Sequence, residues 1–400
     1  MNSKIKILSL CLMATALTIS SCKKDDQSLL DNPDATSDKL ISENGTNPDD
    51  LMLNKSADNS RFSLTGYVYT ESNDPAQNSI ICYKQNIFGS LTYESSTPSG
   101  GTGTGAGLGS QGAVILDKHH RWLYAVNAGS NSVSSFMVNN NGSLTLAHTI
   151  PSGGVMPVSV TTKRNYLYVL NAGSDNIKGF HIGAGGMLSE IPGSMQSLST
   201  TGAGGAQISF SPNGRYLYVT EKATNMITTF MVNGMGVAQA GTSAPSVGQT
   251  PFGFEFARNH FMVVSNAAGG SPGQSSATSY SGVNAGNLMT TNGEVPNFQA
   301  AACWVAVTEH GRYAFTTNTA SDNISSYYVS ATGSLHLLHP SIASGAGPID
   351  MVISGNNIYA YALCSGDQTI RGYTRTFLGG LSVNGTTPNL PPFAAGLAAY

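Results

Sequence analysis

The stretch 121–146, RWLYAVNAGSNSVSSFMVNNNGSLTL, does not occur once in this chain; it recurs along it. Its core returns from Tyr166 as YLYVLNAGSDNIKGF, from Tyr216 as YLYVTEKATNMITTF, from Tyr313 as YAFTTNTASDNISSY and from Ile358 as IYAYALCSGDQTIRGY. Looser copies start at Phe261 (FMVVSNAAGG) and at Gly66 (GYVYTESNDPAQNSIICY), making seven. Reading Leu123, Leu167, Leu217, Phe261, Ala314 and Ile358 as equivalent gives spacings of 44, 50, 44, 53 and 44 residues. A period in the forties, with two strand-like runs around a small-residue turn, constrains the chain to radial repetition of the propeller kind.

Each unit reads as four short strands. Leu-Tyr-Ala-Val-Asn is aromatic and β-branched and ends in a small-residue turn, where Gly129 and Asn131 supply positive φ. The run 133–136 alternates apolar and polar, Asn141-Gly142 signals a hairpin, and Leu144-Thr-Leu146 begins a third strand. One more apolar run precedes each unit, at 113–116, 157–160, 206–210, 252–254, 303–307 and 349–352. The first unit alone lacks such a run, and the chain ends in an orphan one, FAAGLAAY at 393–400. The expected fold is therefore all-β, a seven-bladed β-propeller whose C-terminal strand completes the first blade and removes its open edge.

Ahead of the repeats, Lys4 and Lys6 precede an apolar core at 7–19, too short to span a bilayer and suited to a signal peptide over 1–21. Ile-Ser-Ser-Cys at 19–22 resembles a lipobox, so Cys22 is the expected lipidation site. Lys23-Lys24-Asp25-Asp26 resembles the charged patch that directs Bacteroidetes lipoproteins to the outer face of the outer membrane. Residues 22–60 are polar and expected to form a disordered tether, with the propeller over 61–400. The chain is thus expected in the cell envelope, held in a membrane by lipid and acting as a monomer. Only 10 % of residues are charged and the net charge is −3, which argues against a nucleic-acid partner. Cys82, Cys303 and Cys364 fall in three different repeats without a CxxC pair and read as buried small residues; Cys82 and Cys364 lie in blades that adjoin on ring closure.

No metal-ligand spacing, nucleotide-binding or hydrolase motif appears, so no cofactor, metal or catalytic residue is assigned. His119-His120 reads as a solvated turn and the Gly/Thr run 100–109 as a flexible loop between blades. In a propeller the starts of the innermost strands and the ends of the second strands share one face at the channel. Asn127, Asn171, Asn266 and Asn318 repeat there and read as turn caps. Glu221-Lys222 and Trp304 break the repeat. Gln207, Glu221, Lys222 and Trp304 are accordingly the candidate ligand-binding residues, with Trp304 offering a face on which a sugar ring could stack.

The runs SPNGRYLYVTEKATN, RWLYAVNAGSN and GRYAFTTNTASDNISSY resemble the lactonase-type seven-bladed propellers, which include bacterial 6-phosphogluconolactonase and fungal carboxymuconate cyclase. That resemblance implies a His, two Arg and a Glu at the site. Gln111, Met156, Ala267 and Ala172 stand at the matching positions here. Gln is neither acid nor base near neutral pH, and Met or Ala cannot stabilise an oxyanion. Two functions follow as expectations. One is a binding scaffold for a glycan, small polar ligand or protein partner with the inherited chemistry lost. The other is a lactone hydrolase with a rearranged site around Glu221 and Lys222.

Overall fold

The computed structural model describes residues 65–400; the expected signal peptide, Cys22 and the tether lie outside the described residues. The chain enters on β1 (Gly66–Glu71), β2 (Ser79–Gln85) and β3 (Leu91–Pro98). The second blade is β4 (Val114–Leu116), β5 (Trp122–Asn127), β6 (Ser132–Val138) and β7 (Leu144–Pro151). The third is β8 (Pro157–Lys163), β9 (Tyr166–Asn171), β10 (Asn176–Ile182) and an outer strand split into β11 (Leu188–Glu190) and β12 (Gln196–Ser197). Pro192, which has no N–H for a ladder, lies in that break.

The fourth blade is β13 (Gly205–Phe210), β14 (Tyr216–Glu221), β15 (Met226–Met231) and β16 (Thr242–Pro245). The fifth is β17 (Pro251–Ala257), β18 (Phe261–Asn266), β19 (Ser276–Ser281) and β20 (Met289–Pro296). The sixth is β21 (Ala302–Val307), β22 (Tyr313–Asn318), β23 (Asn323–Val329) and β24 (Leu335–Ala343). The seventh is β25 (Pro348–Ile353), β26 (Tyr359–Cys364), β27 (Thr369–Arg375) and β28 (Leu381–Thr387). Finally β29 (Ala395–Ala399) pairs antiparallel with β1, so the first blade runs β29-β1-β2-β3 and the ring closes as expected.

Two details of the repeat differ from the sequence reading. The second strands of the fifth and seventh blades begin at Phe261 and Tyr359, so the equivalents of Leu123 are Met262 and Ala360 rather than Phe261 and Ile358. At the first turn only Asn131 has positive φ (54°). Gly129 is needed for space, since a Cβ there would sit 2.0 Å from the Gly103 carbonyl oxygen. Cys82, Cys303 and Cys364 are buried, and no disulfide joins any two of them.

The blades are locked by one contact repeated seven times. The second strand opens on an aromatic residue in six blades, at Trp122, Tyr166, Tyr216, Phe261, Tyr313 and Tyr359, and in the first blade Tyr67 follows the opening Gly66. Each ring lies flush on a positive-φ glycine in the outer hairpin of the next blade, from Gly142 under Tyr67 to Gly89 under Tyr359. A Cβ on any of these glycines would fall within 2.2–2.5 Å of the ring. Two residues further along, Tyr69, Tyr168, Tyr218 and Tyr361 donate their hydroxyls to the same hairpins, at Gly142, Gly236, Val283 and Gly89 (2.6–2.8 Å).

Gly236→Ala meets both the left-handed backbone and the Tyr166 ring, and is expected to cost about 2–4 kcal/mol in denaturant unfolding. Deleting 393–400 is expected to expose β1 and produce aggregation or proteolysis; a truncated chain that melts like the parent would contradict the closure.

Candidate functional site

The channel is lined by the innermost strands, whose inward edges carry backbone N–H and C=O groups with no neighbouring strand. That need explains the first candidate residue. Gln207 turns from β13 to β17, donating Nε2 to the Phe254 carbonyl (2.9 Å) and accepting the Phe254 N–H (2.7 Å) on Oε1. A primary amide carries one donor and one acceptor in the spacing that such an edge presents. Gln111 makes the same clasp across the channel mouth. Its Nε2 donates to the Val305 carbonyl (2.6 Å), its Oε1 accepts the Val305 N–H (3.0 Å), and its own N–H donates to Ala206 O (3.1 Å).

Gln111 reaches this position because the segment 99–112 folds into the linker face, the face where blades are joined. Expected to be a flexible loop, this Gly/Thr run is instead fixed by its own hydrogen bonds. Gly103 and Gly105 donate to Asp74 O and Asn73 O, and Thr102 O accepts the Gly129 N–H. Ser110 Oγ donates to Val158 O at 2.8 Å. Glycine is what lets the backbone lie this close to the blades.

Two of the other candidates, Trp304 and Lys222, hold this plug. Trp304 is 5 % exposed; its indole N–H donates to Ser110 O (2.8 Å), and its ring packs on Phe252 with centroids 4.8 Å apart. Lys222 Nζ donates to Gly109 O and lies 4.9 Å from the Phe252 ring centre. Glu221 is fully buried and accepts hydrogen bonds from the Ser199 N–H and hydroxyl and from the Thr224 and Thr228 hydroxyls. Gln207, Lys222 and Trp304 are thus brought together around segment 109–111, whereas Glu221 sits between blades.

Glu221 belongs to a series. Glu71, Asn127, Asn171, Glu221, Asn266, Asn318 and Cys364 end the second strands, and all are fully buried. The Asn side chains cap, but mostly through hydroxyls rather than backbone amides: Asn127 Nδ2 donates to Ser132 and Ser134, Asn266 Nδ2 to Ser276 and Thr278, and Asn318 Nδ2 to Asn323 and Ser325. At the positions matched to the family's His, Arg and Glu, Gln111 is engaged as described. Met156 packs into two apolar clusters, Ala172 is partly buried, and Ala267 is 3 % exposed.

Behind the plug the channel holds a cavity of about 370 Å³. It runs from Gln111 and Gln207 past Thr161, Ser209, Glu255 and Asp350 to Asp117, Lys118 and His120 on the opposite face. His120 is exposed in the turn between β4 and β5, as expected, and also stacks on Tyr400 (5.0 Å between centroids) at this mouth. The sequence reading missed Glu255 and Asp350, although each is a lone acid within an apolar inner strand, PFGFEFA and PIDMVI.

A register irregularity at the start of β25, between Pro348 and Asp350, precedes the position from which Asp350 lines the cavity. Its Oδ1 accepts the Met351 N–H (2.7 Å). Burial raises its pKa well above the usual carboxylate range; the backbone amides of Met351 and Leu397 oppose the rise, and the Glu255 charge adds to it. Glu255 opens into the cavity but is surrounded by protein, and desolvation raises its pKa to about 7 against one hydrogen bond from the Phe256 N–H.

Seven four-stranded antiparallel blades around a channel define the chain as a seven-bladed propeller. The family model for the lactonase seven-bladed β-propeller matches residues 66–200 and 187–272, just over half of the chain, and the protein belongs to that family. No curated protein matches the chain. Among solved structures, a candidate 6-phosphogluconolactonase from Bacteroides uniformis superposes with a TM-score of 0.68 at 18 % identity, covering 83 % of this chain and 98 % of that one. A second such candidate, from Bacteroides fragilis, gives 0.62 at 19 % identity over 86 % and 100 % of the two chains. The periplasmic gluconolactonase of Pseudomonas aeruginosa gives 0.66 at 14 % identity over 83 % and 98 %. At these identities the likeness is one of fold.

Trp304→Ala removes a buried ring and a plug hydrogen bond, and is expected to cost about 3–5 kcal/mol in denaturant unfolding. Glu255 and Asp350 have pKa values raised in the folded state, so their contribution to stability is complete below the unfolded carboxylate range and lost as pH rises. For Glu255 that loss runs from the ordinary value of 4.5 to about 7. Glu255→Gln is expected to flatten the fall in melting temperature across this window relative to the parent.

Proposed function

We propose that this protein is an envelope-anchored binding propeller, without the family's hydrolytic chemistry, that takes a small polar ligand in its central channel. One observation carries the reading. The linker-face mouth is filled by segment 109–111, while the cavity of about 370 Å³ behind it is lined by polar side chains. That volume lies in the range of small-molecule pockets, roughly 300–1,000 Å³, and suits a ligand the size of one sugar ring. Thr161, Ser209, Glu255 and Asp350 offer hydroxyls and carboxyls to a ligand rich in hydroxyl groups.

Of the four residues singled out from the sequence, Gln207 borders this cavity; Trp304, Lys222 and Glu221 act on it indirectly, by holding the plug and the blade behind it. The lipobox-like Ile-Ser-Ser-Cys supports attachment through Cys22. Cys22→Ser is then expected to move the protein from the membrane to the soluble fraction, and unchanged fractionation would remove the anchor from the proposal.

A second reading, lactone hydrolysis, is favoured by Glu255 alone. With a pKa near 7 it could accept a proton from water attacking a lactone carbonyl, as the ring C–O bond opens to a hydroxy acid. Among the described residues the one Lys that lines the cavity, Lys118, stands at its far mouth on the opposite face, so binding without turnover is the better-supported reading.

Titration calorimetry with a panel of hexoses, sugar acids and sugar lactones, run alongside an assay for acid release, separates the two. The expected result is binding weakened by Glu255→Gln or Asp350→Asn without acid release. Acid release abolished by Glu255→Gln would establish the hydrolase instead, and no heat with any member would refute a sugar-like channel ligand.

A further inference from the structure

We propose that the face opposite the linkers is a docking surface for an anionic lipid bilayer. The observation is a charge separation along the channel axis. On this face the first hairpin of every blade from the second to the sixth carries Lys or Arg. They are Lys118 and Arg121, Lys163 and Arg164, then Arg215, Arg258 and Arg312. Lys118, Arg121, Arg164 and Arg215 are exposed. Asp117 and Glu309 are the acids among these hairpins. None of the seven cations has a carboxylate within ion-pair distance among the described residues.

Three of the cations crowd together. Burial, then Lys118, then Arg164 hold the Lys163 ammonium below its usual pKa, as expected where positive charge has no counterion. The linker face is richer in acids, although Lys222 stands there on Gly109 O. Asp175, Asp322 and Asp367 occupy its hairpins and accept backbone N–H groups from the blade linkers, and Lys178 there is neutralised by Glu190 at 2.8 Å.

Two further features select a bilayer over a soluble polyanion. The outer hairpins of the adjoining seventh and first blades raise Phe377, Leu378, Ile87 and Phe88 on this same face, with Phe88 72 % and Leu378 58 % exposed. The first described strand also begins here: Gly66 pairs with Gln85 at the base of the Ile87–Phe88 hairpin, beside the apolar corner. A basic surface with an apolar edge matches anionic headgroups over acyl chains, and each cation near such a surface adds attraction that salt screens.

The test uses the full chain carrying Cys22→Ser, so that no acyl group contributes, in co-sedimentation with phosphatidylcholine vesicles with and without phosphatidylglycerol. Binding is expected only with phosphatidylglycerol present, and is expected to be lost as salt approaches about 1 M, where the Debye length is about 3 Å. Lys118→Glu with Arg164→Glu and Arg215→Glu should lower the partition coefficient by on the order of a hundredfold or more. The corresponding triple Gln variant gives the same readout if charge reversal impairs folding. Phe88→Ser with Phe377→Ser should weaken binding while preserving its salt dependence. Equal binding to neutral vesicles, triple variants that pellet like the parent, or retention by soluble heparin without vesicle binding would overturn the proposal.

Discussion

An aromatic ring lying on a glycine of the neighbouring blade is the contact on which the ring of blades depends. It fixes spacing as well as adhesion. The glycine carries no Cβ and takes φ between 73° and 84°, so the outer hairpin turns sharply and its backbone receives the ring face. A larger residue would push the blades apart and break every other contact between them. Each aromatic side chain buries roughly 150–250 Å², and placing it between blades makes stability a property of neighbouring pairs. Closure by β29 matters for the same reason. Without it the first blade would lack its innermost strand, and the contact of Tyr67 on Gly142 would be carried by an incomplete sheet.

Seven near-identical blades leave a channel bounded by open strand edges, and the chain satisfies those edges unequally. Gln111 and Gln207 clasp them with side-chain amides, and segment 99–112 supplies backbone groups at the linker mouth. Further along, the edges face a cavity into which Glu255 opens. A carboxyl group there is costly when ionised, and its pKa near 7 records that cost. The residues that unite the linker mouth therefore hold the fold together there, while the buried acids Glu255 and Asp350 stand further along the channel.

The architecture was legible because it is periodic. The seven copies of the strand pair and the orphan FAAGLAAY were enough to give blade number, strand number and closure. The offsets of one residue at Phe261 and two at Ile358 arose where apolar residues flank the strand start, so hydrophobicity alone did not mark its first position. Departures from the repeat were a sound guide to where something unusual happens, but not to what. Trp304 and Lys222 depart because they hold a loop of the same chain, and no local pattern links them to Ser110 or Gly109, over a hundred residues away. Glu255 was visible as an acid in an apolar run, yet alternation could not tell a channel-facing position from an interblade one, since both are enclosed by protein.

Net charge hid the polarity of the molecule for a related reason. A value of −3 is summed over the whole chain and so averages away any difference between the faces, and a search for runs of Lys or Arg fails when the basic residues stand one blade apart. Folding converts that period into proximity: Arg121, Arg164, Arg215, Arg258 and Arg312 are separated in sequence by a blade each, yet their hairpins share one face. The acids undergo the same conversion on the other side, because the second hairpin of a blade points opposite to the first. In an antiparallel meander any residue type confined to odd-numbered turns must collect on one face. Charge pattern in a propeller is therefore best read at the repeat period, where Arg before the second strand and Asp after it already specify a molecule with a basic and an acidic end.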